Sequence, residues 1–245
     1  MSTRALGRVL CLVFFISICF SLPSGSQAQS LYTISDLGNA QNFPFINHLT
    51  NRQGQIAGSL NGHITRTTGN LVESLRIEDE SDSRSEGINE SGQIVGEYVL
   101  ADHPPLQPGS IVFDYYGHAV RWTGLVGEDL GTLYKGLYVS FSAGYGINDL
   151  GQVVGKAAGV SGYDVAFLYT QGQMFDLNTL VSANSGWNLY RANHINNQGT
   201  ITGWGMLNGQ NRAFLLSPVA VPEPSSFALL GAIGLMSALR KRRSR

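Results

Sequence analysis

One ten-residue pattern recurs four times without gaps and limits what this chain can fold into. The copies are Leu49-Thr-Asn-Arg-Gln-Gly-Gln-Ile-Ala-Gly58, Gly87-Ile-Asn-Glu-Ser-Gly-Gln-Ile-Val-Gly96, Gly146-Ile-Asn-Asp-Leu-Gly-Gln-Val-Val-Gly155 and His194-Ile-Asn-Asn-Gln-Gly-Thr-Ile-Thr-Gly203. Each reads as a β-hairpin. The asparagine (Asn51, Asn89, Asn148, Asn196) opens a turn by bonding its own backbone two residues on, two variable residues form the tip, and a glycine supplies positive φ. The β-branched residues that follow suit a strand, and the last glycine ends that strand or admits another backbone. The asparagines are therefore read as turn formers and need no catalytic role.

A second strand pair follows each hairpin. Its first member is Gly117-His-Ala-Val-Arg-Trp122, Asp164-Val-Ala-Phe-Leu-Tyr169 or Arg212-Ala-Phe-Leu-Leu216, with Gly62-His-Ile-Thr-Arg66 as a degenerate copy. Its second member ends in Asp129-Leu130-Gly131 or Asp176-Leu177-Asn178, and less clearly in Glu73-Ser74-Leu75. The fourth copy lacks this last strand, and the missing piece stands at the other end as Leu31-Tyr-Thr-Ile-Ser-Asp-Leu-Gly38. A displaced strand of this kind can complete the last unit of a ring. The pattern predicts an all-β repeat protein, a small four-bladed β-propeller closed by its N-terminal strand, with an open β-solenoid or a β-sandwich as alternatives and helical targeting segments at both ends.

Those ends change how the composition is read. Residues 1–28 carry Arg4 and Arg8, an apolar run from Val9 to Phe20 and Ser26-Gln27-Ala28, the three parts of a secretory signal, with cleavage expected between Ala28 and Gln29. Residues 219–245 hold Val221-Pro222-Glu223-Pro224-Ser225-Ser226, an apolar run from Phe227 to Leu239 and a basic end from Arg240 to Arg245. Thirteen apolar residues fall short of a comfortable membrane span, so the inner-membrane association is expected to be transient. Between them, residues 29–218 form the repeat domain. Residues 29–220 hold nine Lys and Arg against sixteen Asp and Glu, a net charge of −7, which disfavours nucleic acid as a partner. Both cysteines, Cys11 and Cys19, belong to the signal, so the mature chain has no disulfide or Cys-ligated metal.

The tail resembles the PEP-CTERM sorting signal of exported bacterial proteins, with Pro222, Glu223 and Pro224 on the motif and the apolar and basic parts in order. That resemblance implies recognition by an exosortase-like processing enzyme in a Gram-negative bacterium, followed by display at the cell surface or in an exopolysaccharide matrix. The repeat resembles the HAF family of extracellular bacterial repeats. Its His-Ala-Phe triplet reads here as His118-Ala119-Val120, Val165-Ala166-Phe167 and Arg212-Ala213-Phe214, so no copy keeps all three residues. This second resemblance implies an exported repeat protein and names no chemistry.

The sequence carries no nucleophile elbow, phosphate loop, H-E-x-x-H or paired-carboxylate motif, so no catalytic residue, metal or cofactor is expected. Asp114, Tyr115, Tyr116, His118, Arg121 and Trp122 cluster in sequence, but His118 and Trp122 occupy repeat positions that strand packing explains. The run Glu78 to Glu86 is dense in hard oxygen ligands yet lacks a calcium-loop spacing, and reads as a solvated connector. Aromatic residues on an acidic β scaffold suit carbohydrate, whose rings stack on aromatic faces while amides bond hydroxyls. Tyr115, Tyr116, Trp187 and Tyr190 are the candidate glycan-binding residues, with Trp204 a further one that its place after a repeat glycine could equally assign to the core. The expected role is structural or adhesive, with an enzyme on a β-propeller as the alternative.

Overall fold

A computed structural model describes residues 30–42, 49–77, 80–100, 117–134, 140–160 and 163–219. The expected signal with Ala28 and Gln29, the tail with Pro222, Glu223 and Pro224, and the segment holding Asp114, Tyr115 and Tyr116 lie outside these residues.

Fifteen strands follow one another in the described residues. They begin with β1 (Tyr32–Asn39), β2 (Gln55–Leu60), β3 (His63–Thr68) and β4 (Leu71–Leu75). Next come β5 (Glu80–Ile88), β6 (Ile94–Leu100), β7 (Gly117–Thr123), β8 (Val126–Asp129), β9 (Ser142–Ile147) and β10 (Val153–Ala158). The last five are β11 (Asp164–Thr170), β12 (Gln173–Asp176), β13 (Trp187–Ile195), β14 (Ile201–Leu207) and β15 (Gln210–Pro218). They form four antiparallel sheets in the orders β2-β3-β4, β5-β6-β7-β8, β9-β10-β11-β12 and β13-β14-β15-β1. The strand displaced to the N terminus therefore completes the fourth sheet, with Tyr32 opposite Pro218 and Asn39 opposite Arg212.

The repeat turn is built alike in every copy. The backbone N–H of Gly54, Gly92, Gly151 and Gly199 donates to the carbonyl of the asparagine three residues earlier, and each glycine has a φ between +74° and +76°. A Cβ is strained there even where space is open, as at Gly54. In each turn the asparagine Oδ1 also accepts the N–H four residues on.

These asparagines also link one sheet to the next. Asn51 Nδ2 donates to the Asn89 carbonyl at 3.0 Å, Asn89 Nδ2 to that of Asn148 at 2.9 Å, and Asn148 Nδ2 to that of Asn196 at 2.9 Å. A second ladder runs beside it: the N–H groups of Arg52, Glu90 and Asp149 donate to the side chains of Glu90, Asp149 and Asn197 in turn. The repeat asparagine thus serves as local turn former and as strut between neighbours. Only its first duty follows from sequence-local chemistry.

Apolar side chains fill the spaces between successive sheets. Ala57, Ile64 and Leu75 of the first meet Ile94, Val120 and Trp122 of the second. Val95 and Ala119 of the second meet Val153, Ala157 and Phe167 of the third. Val154, Ala166 and Leu168 of the third meet Leu189, Ile201, Phe214 and Leu216 of the fourth. Successive residues of one strand, such as Val153 and Val154, thus serve opposite faces, the period of two that a sheet buried on both sides requires.

Of the two readings of the repeat's last glycine the second holds, and one further expectation needs correction. The last glycine of the repeat does not end its strand; β6, β10 and β14 run on past Gly96, Gly155 and Gly203. At these three positions the neighbouring edge strand of the sheet (β5, β9 or β13) bulges, and a Cβ would overlap the carbonyl of Arg84, Ala143 or Arg191. The acidic serine-rich run is also no connector over its described part, because residues 80–88 are β5, with Ser83 and Ser85 buried. Serine fits there because the strand crosses close to the first sheet: Ser83 Oγ accepts the Ile64 N–H at 3.0 Å, and Ser59 Oγ accepts the Ser85 N–H at 3.3 Å.

Candidate functional site

The fourth sheet is the site where the repeat pattern is broken in a way that exposes chemistry. The residue after the closing glycine is Ser59, Glu97 and Lys156 in the first three copies and Trp204 in the fourth. Three polar residues show that the repeat asks for no large apolar group at this position. Trp204 is half-buried on β14, on the face opposite Ile201, which is wholly buried in the core with the third sheet. Tyr190 meets it edge-on, with ring centroids 5.7 Å apart and planes at 76°. Tyr190 reaches this place because β13 shifts register between Leu189 and Arg191, leaving it as the extra residue of a bulge, a device that re-aims a side chain.

Trp204 forms part of the wall of a groove of about 760 Å³ that also takes in Asn39, Gln41, Gln210, Asn211 and Arg212. These residues come from opposite ends of the repeat domain and meet because β1 pairs with β15. Arg212 is tied down within the groove: its guanidinium makes a two-pronged ion pair with Asp36, Nε lying 3.0 Å from both carboxylate oxygens. The hydrogen bond from Arg212 and that from the Gly38 N–H hold the Asp36 carboxyl below the usual carboxylate range. What remains to meet a ligand is an indole and four primary amides, a neutral set of donors and acceptors, although Asn39 Oδ1 also accepts the Gln41 N–H at 3.0 Å.

The other sequence candidates are placed as follows. Trp187 packs on the core between the third and fourth sheets, edge-on to Phe214 with centroids 6.1 Å apart, so its ring is engaged in packing. Trp122 is wholly buried between the first and second sheets. Arg121 bridges β7 to β8 through Glu128 and donates to the Gly151 carbonyl of the third sheet; Arg66 does the same through Glu73 and the Gly92 carbonyl of the second. His118 Nδ1 lies 2.9 Å from Asp129 Oδ2. That pair is the same strand-to-strand tie as Arg212 with Asp36, since both carboxylates begin an Asp-Leu-Gly and each accepts the N–H two residues on. Burial pushes the Asp129 carboxyl up, but hydrogen bonds from His118, the Gly131 N–H and Tyr98 outweigh it and leave the group below its ordinary value of 3.8.

The groove amides were not legible as a site. Asn39 and Gln41 stand about 170 residues from Gln210 and Asn211, a separation that only the β1 to β15 pairing closes. The one sequence signal was the Ser, Glu, Lys, Trp column, whose last member departs from the type of the others.

Residues 220–243 match the model of the PEP-CTERM protein-sorting motif. The match marks the chain as an exported protein that passes the membrane and is sorted by an exosortase. No curated protein matches the chain. Among the described residues no helix is long and apolar enough to cross a membrane; the apolar run 227–239 lies outside them.

Proposed function

We propose that this protein is a non-catalytic structural or adhesive component of the bacterial cell surface or extracellular matrix, whose HAF-like repeats form a curved, open array of four sheets and hold exopolysaccharide. The observation that supports the surface assignment is the sorting motif at residues 220–243. Mass spectrometry of the form collected from the cell surface tests it. A chain beginning at Gln29 and lacking the basic end is expected, and an intact Arg245 on that form overturns the processing.

Among the described residues no core cluster joins the fourth sheet to the first, and Ile56, on the face that a closed four-bladed β-propeller would cover, is 47% exposed, so the array stands open; two observations support its curvature. From Asn42, just past the end of the fourth sheet's added strand, to Leu49 at the start of the first repeat is seven residues, a reach of at most about 25 Å. Sheets packed face to face lie about 10 Å apart, so a straight stack would set the first and fourth about 30 Å apart. The chain is too short for that arrangement and suits a curved one. In addition, Ile88, Ile147 and Ile195, the same repeat column on β5, β9 and β13, all line one pocket of about 330 Å³. Innermost strands of three successive sheets meet around a common space when the sheets fan about an axis.

Openness is read by distance. With no native cysteine in the mature chain, spin labels on Ile56→Cys and Thr202→Cys report the gap between the first and last sheets. A gap well above about 10 Å, the spacing of packed sheets, is expected for the open array, and a gap of about 10 Å would overturn it in favour of a ring.

A further inference from the structure

We propose that the Trp204 groove is a binding site for a neutral polysaccharide, with the indole as the stacking platform for a pyranose ring and the amides of Asn39, Gln41, Gln210 and Asn211 as partners for its hydroxyls. The inference rests on the adhesive reading above and gives it a site and a ligand class.

Three features select this chemistry. First, a tryptophan stands where the other three repeats carry Ser59, Glu97 and Lys156, so packing common to the repeat does not call for it. It keeps part of its surface accessible on the face turned away from the third sheet. The axial C–H groups of a sugar ring present a positive edge to the negative face of an aromatic ring. Second, Tyr190 stands edge-on at 5.7 Å and props the indole, so the platform loses little freedom when a ligand arrives. Third, the polar groups beside it are amides, each able to donate and accept, as a hydroxyl also does.

Charge decides between neutral and acidic chains. The mature segment carries a net charge of −7, and the guanidinium beside the platform is already neutralised by Asp36. No uncompensated cation among the lining residues is left to meet a uronate or sulfate. A volume of about 760 Å³ exceeds one hexose, so the groove suits a short stretch of chain rather than a free sugar.

The test is native electrophoresis of the mature protein through gels cast with dextran, galactomannan or alginate. Wild-type protein is expected to be slowed by at least one neutral gel and not by alginate. Trp204→Lys, which installs the third repeat's own residue, is expected to weaken that retardation at least tenfold with the thermal midpoint unchanged. Trp204→Tyr is expected to keep most of it, and Gln210→Ala with Asn211→Ala to lose part. A wild-type protein slowed by neither neutral gel, one slowed by alginate alone, or a folded Trp204→Lys variant as retarded as wild type would each overturn the assignment. None of these outcomes touches the processing of the tail, which the mass of the surface form reads separately.

Discussion

Replacing Asn148 by alanine tests the claim that one residue per repeat both forms a turn and braces the next sheet. Its Oδ1 accepts the N–H groups of Leu150 at 3.1 Å and Gln152 at 3.0 Å, and its Nδ2 donates to Gln152 Oε1 at 2.7 Å and to the Asn196 carbonyl at 2.9 Å. The residue is 3% exposed, so water cannot replace these partners. Four bonds at about 0.5–1.5 kcal/mol each give a loss of roughly 2–6 kcal/mol. Asn196 makes the matching control. It stands exposed at the last turn, and its Oδ1 bonds to Gln198 and Thr200 are ones that water can mimic. Asn196→Ala is therefore expected to lose about 1 kcal/mol. Urea denaturation of the two variants should separate them by at least about 1 kcal/mol, and thermal midpoints by at least about 2–4 °C for a domain of this size. Equal losses at the two positions would refute the ladder as a source of stability and leave only the turn.

Other outcomes follow from the same contacts. Gly155→Ala places a Cβ on the Ala143 carbonyl at a bulge and is expected to destabilise by several kcal/mol, whereas Gly172→Ala, with open space but a φ of +76°, should lose about 1 kcal/mol; urea midpoints compare them. Deleting residues 31–38 strips the partner of β15 from Ala213 to Pro218 and should lower the thermal midpoint by well over 5 °C, and unchanged stability would count against the added strand. Asp129 carries a pH signature. Its folded value lies below 3.8, so its contribution is whole above that pH and is lost as pH falls through the folded value. The stability gap between wild type and Asp129→Asn should accordingly be full at pH 5 and shrink as the pH is taken below 3.8, and a gap that widens on acidification would contradict the sign.

The legibility of the molecule varied with the range of the interaction. The Asn-x-x-Gly turn was readable because side chain, backbone and positive φ all act within five residues. The bulge opposite Gly155 was not, since what crowds that glycine is the carbonyl of Ala143 on another strand. The run from Glu80 to Glu86 looked like a connector by composition, yet burial of Ser83 and Ser85 against the first sheet makes it a strand. Composition reports solvation preference, and a close crossing of two sheets can override it with small hydroxyl side chains.

Sequence alone determined the repeat, its hairpins, the displaced strand, the acidic thiol-free middle and the sorting tail, because periodicity and terminal order survive without any knowledge of contacts. Tertiary structure decided which partners those repeats find. It stacked Asn51, Asn89, Asn148 and Asn196 into a ladder, set Trp187 against Phe214 and buried Trp122, and turned the His118 to Asp129 pair into a strand tie that Arg212 and Asp36 repeat. It also carried Asn39 and Gln41 to the side of Trp204, forming a groove from residues that share no local pattern. A turn is a property of neighbours along the chain, whereas a groove is a property of the surfaces that strand pairing brings together.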